Sequence, residues 1–172
     1  LPVKMPFNVL LKKLKDGRFK STLFNLLSDA QVLAKDMPFA TLDPTVRGVK
    51  LPSGRRVLMS DTVGFITDLP TELIAAFRAT LEEVIEADVL IHVRDMADPD
   101  HEGRKADVES VLAALGAGAE ADQHVIEAWN KSDQLSAEDH EELVWRAKLP
   151  KRENGPVSIV TSAVTGAGVD AL

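Results

Sequence analysis

The sequence predicts an α/β domain in three layers: a mostly parallel sheet with one antiparallel edge strand, and helices on both faces. Three observations carry that expectation. Short apolar runs alternate with longer segments whose apolar residues recur at helical spacing, the pattern of strands joined by crossover helices. The first clear pair of strands is separated only by Pro52-Ser53-Gly54, room for a hairpin and nothing larger. Strand-like runs end repeatedly in polar clusters, at Asp61–Gly64, Asn130–Asp133 and Ser162–Ala163. Open sheets of this class bind ligands outside the carboxyl ends of their strands, so these clusters are the candidate site.

Residues 1–19 carry no clear element: Val9-Leu10-Leu11 starts either a strand or a helix, and Lys12 to Gly17 reads as a charged turn. Ser21 to Leu27 reads as a helix, with Leu23, Phe24 and Leu27 on one face and Ser21 or Thr22 capping the start. The prolines and threonines between Asp36 and Thr45 predict a loop. Thr45–Leu51 and Arg55–Met59 are the hairpin strands. In the second, Val57, Leu58 and Met59 form a short buried run that delivers Asp61 to its carboxyl end. From Asp68 to residue 86, Leu73, Ile74, Phe77, Leu81, Val84 and Ile85 make a helical stripe that starts with Pro70 near its first turn.

Val89–Val93 is a buried strand ending at Arg94-Asp95, and residues 101–115 form an amphipathic helix through Val108, Val111, Leu112 and Leu115. His124–Trp129 is the next strand. Ser136-Ala137-Glu138-Asp139, close to a capping box, opens a helix to about residue 148. Pro156–Val160 is the last strand, and Gly166-Ala167-Gly168 opens a final helix that the sequence leaves incomplete at Leu172. His92 is expected as a packed core histidine, Trp129 and Trp145 as core or half-buried residues.

At 172 residues the chain suits one domain with a sizeable core. A hydrophobic fraction of 45% and a charged fraction of 27% are ordinary for a soluble globular protein. Without cysteine there is no disulfide framework and no thiolate metal site. No apolar run approaches the ~20 residues of a membrane span, no signal peptide is visible, and a cytoplasmic protein is the expectation. The net charge of −7 argues against a general nucleic-acid coat, but its distribution is uneven. Lys4, Lys12, Lys13, Lys15, Arg18 and Lys20 stand against Asp16 alone in the first 20 residues, a basic arm before an acidic body.

The polar clusters have distinct chemistries. Lys20-Ser21-Thr22 sits at a helix N-terminus, where backbone N–H groups and the dipole favour an anion; Lys20 would neutralise phosphate charge. The Ser21 hydroxyl can ligate Mg2+, Thr41 can add a second hydroxyl from its loop, and Asp61 can hold one of the ion's waters. Gly64 can offer its N–H to a phosphate with no side chain in the way. Asn-Lys-x-Asp is the most specific element. The Asp133 carboxylate can accept two guanine donors, a pattern adenine cannot offer, through charge-assisted bonds of ~1.5–3 kcal/mol each. Asn130 would tie neighbouring loops together, the Lys131 stem would lie along the base, and the Ala163 N–H would read the guanine oxygen.

Together these stretches resemble a known family. Lys-Ser-Thr-Leu-Phe-Asn from Lys20, Met-Pro-Phe-Ala-Thr-Leu-Asp-Pro-Thr from Met37, Asp-Thr-Val-Gly-Phe from Asp61 with Asp-Leu-Pro-Thr-Glu-Leu from Asp68, Asn-Lys-Ser-Asp from Asn130 and Ser-Ala-Val-Thr-Gly-Ala-Gly from Ser162 look like the G domain of an HflX-type GTPase, in the Obg–HflX group of P-loop GTPases. The resemblance covers residues 20–172 and implies the three-layer Ras-like P-loop GTPase fold, with GTP or GDP as ligand and Mg2+ as cofactor. It makes Lys20 the phosphate lysine, with Thr22 beside it, and Ser21 and Thr41 the magnesium ligands, with Asp61 acting through water. Phe39, Ala40, Thr41, Leu42 and Asp43 match the first switch; Asp61, Thr62, Val63 and Gly64 match the γ-phosphate sensor. Asn130, Lys131, Ser132, Asp133, Ser162 and Ala163 match the guanine site. The implied activity is GTP hydrolysis in a switch that works on the ribosome, its large subunit in particular, with the basic arm as a candidate rRNA contact.

The chain departs from the family pattern in three ways. The resemblance lacks the family's N-terminal domain and stops before the last helix is complete. Phe65 stands where Ras-like enzymes keep a water-orienting glutamine, which leaves the catalytic residue unassigned. Leu14 and Phe19 occupy the two glycine positions of Gly-x-x-x-x-Gly-Lys-Ser, and Lys12 and Lys13 fall within the preceding strand, so residues 1–19 read as an atypical basic segment in place of the first strand and the start of the P-loop. Two function classes stay open: a magnesium-dependent GTPase, and a nucleotide-poor relative that serves as a ribosome or protein interaction module.

Overall fold

The computed structural model describes residues 6–9, 19–28, 45–51, 53–61, 82–118, 121, 123–150 and 155–172. Among the described residues six strands form one sheet: β1 (Pro6–Val9), β2 (Thr45–Lys50), β3 (Arg56–Asp61), β4 (Val89–Asp95), β5 (His124–Asn130) and β6 (Val157–Val160). Their order is β2-β3-β1-β4-β5-β6. Only the β2–β3 pair is antiparallel; the other four pairings are parallel. The hairpin through Ser53-Gly54 makes β2 the edge strand, as its short connection requires. The described helices are α1 (Phe19–Ser28), α2 (Glu82–Ile85), α3 (His101–Leu115) and α4 (Ala137–Lys148), with single 3-10 turns at Ser132–Gln134 and Val169–Ala171.

The two faces of the sheet bury different partners. On one, α1 presses Leu23 and Phe24 against Val57, Met59, Ile91, Val93 and Ala128. On the other, Leu90 meets Val84 of α2 and Val108, Leu112 and Leu115 of α3, while Trp129 packs with Met96 and Leu143 of α4. Leu23, Phe24, Leu90 and Val108 are at most 1% exposed, and each contributes about 1.5–3 kcal/mol by burial. Helix ends follow their sequence signals. Gly116 takes the left-handed conformation (φ 71°) that closes α3, its N–H bonding the Ala113 carbonyl. Ser136 caps α4 by accepting the Asp139 N–H at 3.1 Å while its hydroxyl donates to the Asp139 carboxylate at 2.6 Å. Beyond α2, Gln123 donates its amide to the carbonyls of Val84, Ile85 and Ala87, satisfying groups the helix end leaves open.

Several expectations need correction. A first strand does form, over Pro6–Val9 in the middle of the sheet, with proline at its first position, where a missing N–H is tolerated. Helix α1 starts at Phe19, so Ser21 and Thr22 lie within its first turn and are not its cap. The run Val57-Leu58-Met59 is not buried throughout: Val57 and Met59 face the core and Leu58 is exposed, as alternation along a strand dictates. Trp145 is 61% exposed, because α4 turns Leu143 inward and leaves the position two residues on at the surface. Gly166–Gly168 leads into the short 3-10 turn rather than an α-helix. Of the helix expected from Asp68 to residue 86, only its end as α2 falls within the described residues.

The α3–α4 face also holds a buried ionic network that connects β4 and β5. Glu127 accepts from Arg94 Nη1 at 2.9 Å, Trp129 Nε1 at 2.7 Å and Lys105 Nζ at 2.8 Å. Burial pushes the Glu127 carboxyl up, but the Lys105 and Trp129 hydrogen bonds and the charges of Arg94 and Lys105 outweigh it and hold the pKa at about 2. A depressed folded pKa gives stability that is present above the ordinary glutamate value and lost as pH falls toward 2. At about 1.4 kcal/mol per unit this is roughly 3 kcal/mol. Glu127→Gln is expected to cost about 3 kcal/mol at pH 7 and to flatten the acid limb, because it removes the charge that Arg94 and Lys105 share while Arg94 keeps Glu102 and Lys105 keeps Glu109. Urea unfolding at pH 7 and in steps from pH 5 to 2 checks both; an acid limb of parental steepness in the variant would place the titration elsewhere.

Candidate functional site

The parallel strands bring their carboxyl ends to one edge of the sheet. Asp61 ends β3 opposite Val9, and Asp95 ends β4 opposite Asn130, the last residue of β5. Trp129 pairs with Val160, so Thr161-Ser162-Ala163 leaves β6 beside Asn130. Alternation puts Asp95 and Asn130 on the sheet face that carries Val93 and Ala128, the face against α1. The 3-10 turn after β5 and the turn after β6 then interlock. Ser132 N–H donates to the Thr161 carbonyl at 3.2 Å and Thr161 N–H to the Trp129 carbonyl at 2.8 Å. Met96 N–H donates to the Asn130 carbonyl at 3.0 Å, binding the β4 end to the same junction.

Each member of Asn130–Asp133 has a defined task. Asn130 is 1% exposed and accepts the Ala163 N–H on Oδ1 at 2.9 Å, which ties the two loops together as its sequence position suggests. That bond engages the same Ala163 N–H that the sequence assigns to a base oxygen. The buried amide oxygen must be satisfied, and this turn N–H lies in reach. Lys131 has φ 68° and ψ 30°, and among the described residues it is the one non-glycine with positive φ. A left-handed lysine costs on the order of 1–2 kcal/mol. The cost is tolerated because the chain must leave β5 within one residue. Lys131 Nζ pairs with Asp95 Oδ2 at 2.5 Å, and its stem is largely buried.

Asp133 is exposed and accepts the Ser162 hydroxyl on Oδ1 at 2.5 Å. The short charge-assisted bond fixes the carboxylate; its other oxygen has no partner among the described residues. Ser162 Oγ in turn accepts Thr165 N–H at 3.1 Å, and Ser162 N–H donates to the Ala167 carbonyl at 2.9 Å. This turn closes through Gly168, where φ is 69° and a Cβ would run into the Val160 carbonyl oxygen. The two loops are thus hydrogen-bonded to each other and hold an exposed carboxylate in place.

The remaining predicted site residues are described in part. For Lys20, Ser21 and Asp61 the backbone is described: the first two in the opening turn of α1, Asp61 at the end of β3. Thr22 is half-buried in α1. Leu14, Phe39, Ala40, Thr41, Leu42, Asp43, Thr62, Val63, Gly64 and Phe65 lie outside the described residues, as do residues 1–5 and 10–18 of the basic arm. Among the described residues no group of three or more His, Asp or Glu is placed to hold a metal. One residue of the site went unpredicted. Asp95 has the signal that marked Asp61, an acidic residue at the end of a buried strand, but its partner lies 36 residues on.

A family model described as a 50S ribosome-binding GTPase matches residues 20–131. The chain belongs to that family. Its curated relatives make it an HflX-type G domain: it is 48% identical to GTPase HflX of Magnetococcus marinus over 155 residues, 89% of this chain and 33% of that protein. It is 42% identical to GTPase HflX of Escherichia coli over 156 residues, 89% of this chain and 34% of that protein. The G domain thus spans about a third of the length of these relatives. Solved structures show the same fold: SsGBP with GDP (TM-score 0.70, 22% identity, 98% of this chain, 47% of that one) and Era with MgGDPNP and a segment of 16S ribosomal RNA (TM-score 0.68, 20% identity, 98% and 54%). The three-layer Ras-like P-loop GTPase architecture expected for this HflX-type chain is the one observed.

Proposed function

We propose that the chain binds guanine nucleotide with Mg2+, hydrolyses GTP, and uses the nucleotide to switch residues 36–45 and 61–72 for a partner on the ribosomal large subunit. One observation supports it most: Asn130–Asp133 is locked to Ser162–Ala163 so that Asp133 is held by Ser162 with an oxygen still to offer. The guanine N1–H and exocyclic amine bind that carboxylate, and the base lies along the Lys131 stem. Its oxygen shares the Ala163 N–H with Asn130, a three-centre arrangement common at turns. Lys20 and the α1 N-terminus take the phosphates.

The magnesium donor set is Ser21, Thr41 and a water on Asp61. All are hard oxygen donors, and few in number, which suits an ion that keeps phosphate oxygens and waters. The ion would offset phosphate charge as bonds to the γ-phosphorus change. The work is cytoplasmic; among the described residues no helix is long and apolar enough to cross a membrane. Titration with a fluorescent guanine nucleotide, with and without Mg2+, tests the reading. Weak but saturable, magnesium-strengthened binding with no response to adenine nucleotide is expected, and equal binding of both bases would overturn it.

Leu14 and Phe19 at the phosphate-loop glycine positions favour a second reading, a nucleotide-poor interaction module, and the same titration separates the two. For the partner, Lys12, Lys13 and Lys15 are proposed to contact rRNA by counterion release. Neutralising all three should flatten the salt dependence of ribosome pelleting between two salt concentrations; an unchanged dependence discards the contact.

A further inference from the structure

We infer that Asp95 is a positioning residue for the guanine site, acting through Lys131; the inference rests on the nucleotide reading above. Both of its oxygens are committed. Oδ1 accepts the Ala97 N–H at 3.1 Å, an Asx turn that fixes its own rotamer, and Oδ2 pairs with Lys131 Nζ at 2.5 Å. The two side chains are 12% and 11% exposed, so neither charge has water as a ready substitute. Taking the carboxylate away from this largely buried ammonium carries a desolvation cost. The pair also clamps the one left-handed non-glycine residue described, the residue whose turn sends Ser132 N–H to Thr161 and places Asp133 against Ser162.

Asp95 therefore sets two things at once. It lays the lysine stem flat from β5 toward β4, where the base would stack, and it holds the backbone that aims Asp133. The β4 end is itself fixed, through Met96 N–H on the Asn130 carbonyl and through the neighbouring Arg94 in the Glu127 network. The guanine loop is thus anchored to β4 as well as to β6, and a substitution in β4 would reach the base without touching it.

Asp95→Asn keeps an acceptor for Ala97 and removes the charge. In the nucleotide-free chain, exchange of the Ser132 and Gln134 amides is expected to rise at least tenfold, while the Ile126 amide in β5 keeps its rate. In titrations with labelled GDP, Asp95→Asn and Lys131→Met should each weaken binding about tenfold. The double variant should lose less than the two single losses combined, because both singles remove the Asp95–Lys131 pair. Additive losses, or unchanged exchange at Ser132 and Gln134, overturn the role of Asp95. If the parent chain takes up no GDP, the nucleotide reading fails instead, and the exchange rates alone decide whether Asp95 holds the loop. A fall in Ile126 protection would show general unfolding and would also count against a local role.

Discussion

Asp133→Asn should lower GTP affinity by two to four decades and raise affinity for the xanthine nucleotide. The carboxylate is proposed to accept two guanine donors, and two charge-assisted bonds at ~1.5–3 kcal/mol each correspond to that range at ~1.4 kcal/mol per decade. Xanthine presents a carbonyl where guanine has its amine, so an amide at position 133 can donate where the carboxylate could only accept. The structure makes this a clean experiment. Asp133 Oδ1 is held by the Ser162 hydroxyl, and an asparagine oxygen in the same place keeps that acceptor. The loop contacts of Ser132 with Thr161 and of Ala163 with Asn130 do not involve the altered atoms. Parallel titrations with guanine and xanthine nucleotides give the answer. A variant that binds GTP as tightly as the parent removes this loop from base recognition.

The legible parts of the fold are those where a local pattern decides. Helix α3 begins at His101 and ends at Leu115 as its apolar spacing indicates, and the ends of β4 and β5 fall where apolar runs stop at Asp95 and Asn130. The hairpin is forced by the short connection between Lys50 and Arg56. What stays hidden depends on partners distant in sequence. Nothing local to Asp95 points to Lys131, and nothing in Ser162-Ala163 shows that the second N–H answers a buried asparagine. Trp145 resembles a core residue in composition, yet burial depends on which side of α4 meets the sheet. Strand β1 escapes because proline opens it and lysines follow it, so its central place comes from pairing with β3 and β4 rather than from its own propensity.

Restoring glycine at both Leu14 and Phe19 should raise GTP affinity at least tenfold, with a gain that requires Mg2+. A phosphate loop works because consecutive backbone N–H groups turn inward around the anion, which glycine permits through positive φ and the absence of Cβ. Phe19 stands directly before Lys20, and the structure places both in the opening turn of α1, so an aromatic residue occupies the helix N-terminus that should receive the phosphates. Leu14 takes the first glycine position of the motif and lies outside the described residues. Non-glycine residues in such conformations cost on the order of 1–3 kcal/mol each, before any steric exclusion of the ligand. Together the two sites correspond to roughly one to four decades at ~1.4 kcal/mol per decade. The guanine loop lies on β5 and β6, outside that region, so the unmodified chain is expected to keep Asn130–Asp133 in place while binding GTP poorly. Calorimetric titration of parent and double variant, each with and without Mg2+, checks both halves. Tight GTP binding by the parent would mean that its phosphate loop works without these glycines; a gain indifferent to Mg2+ would mean that the glycines act on folding rather than on the phosphate site.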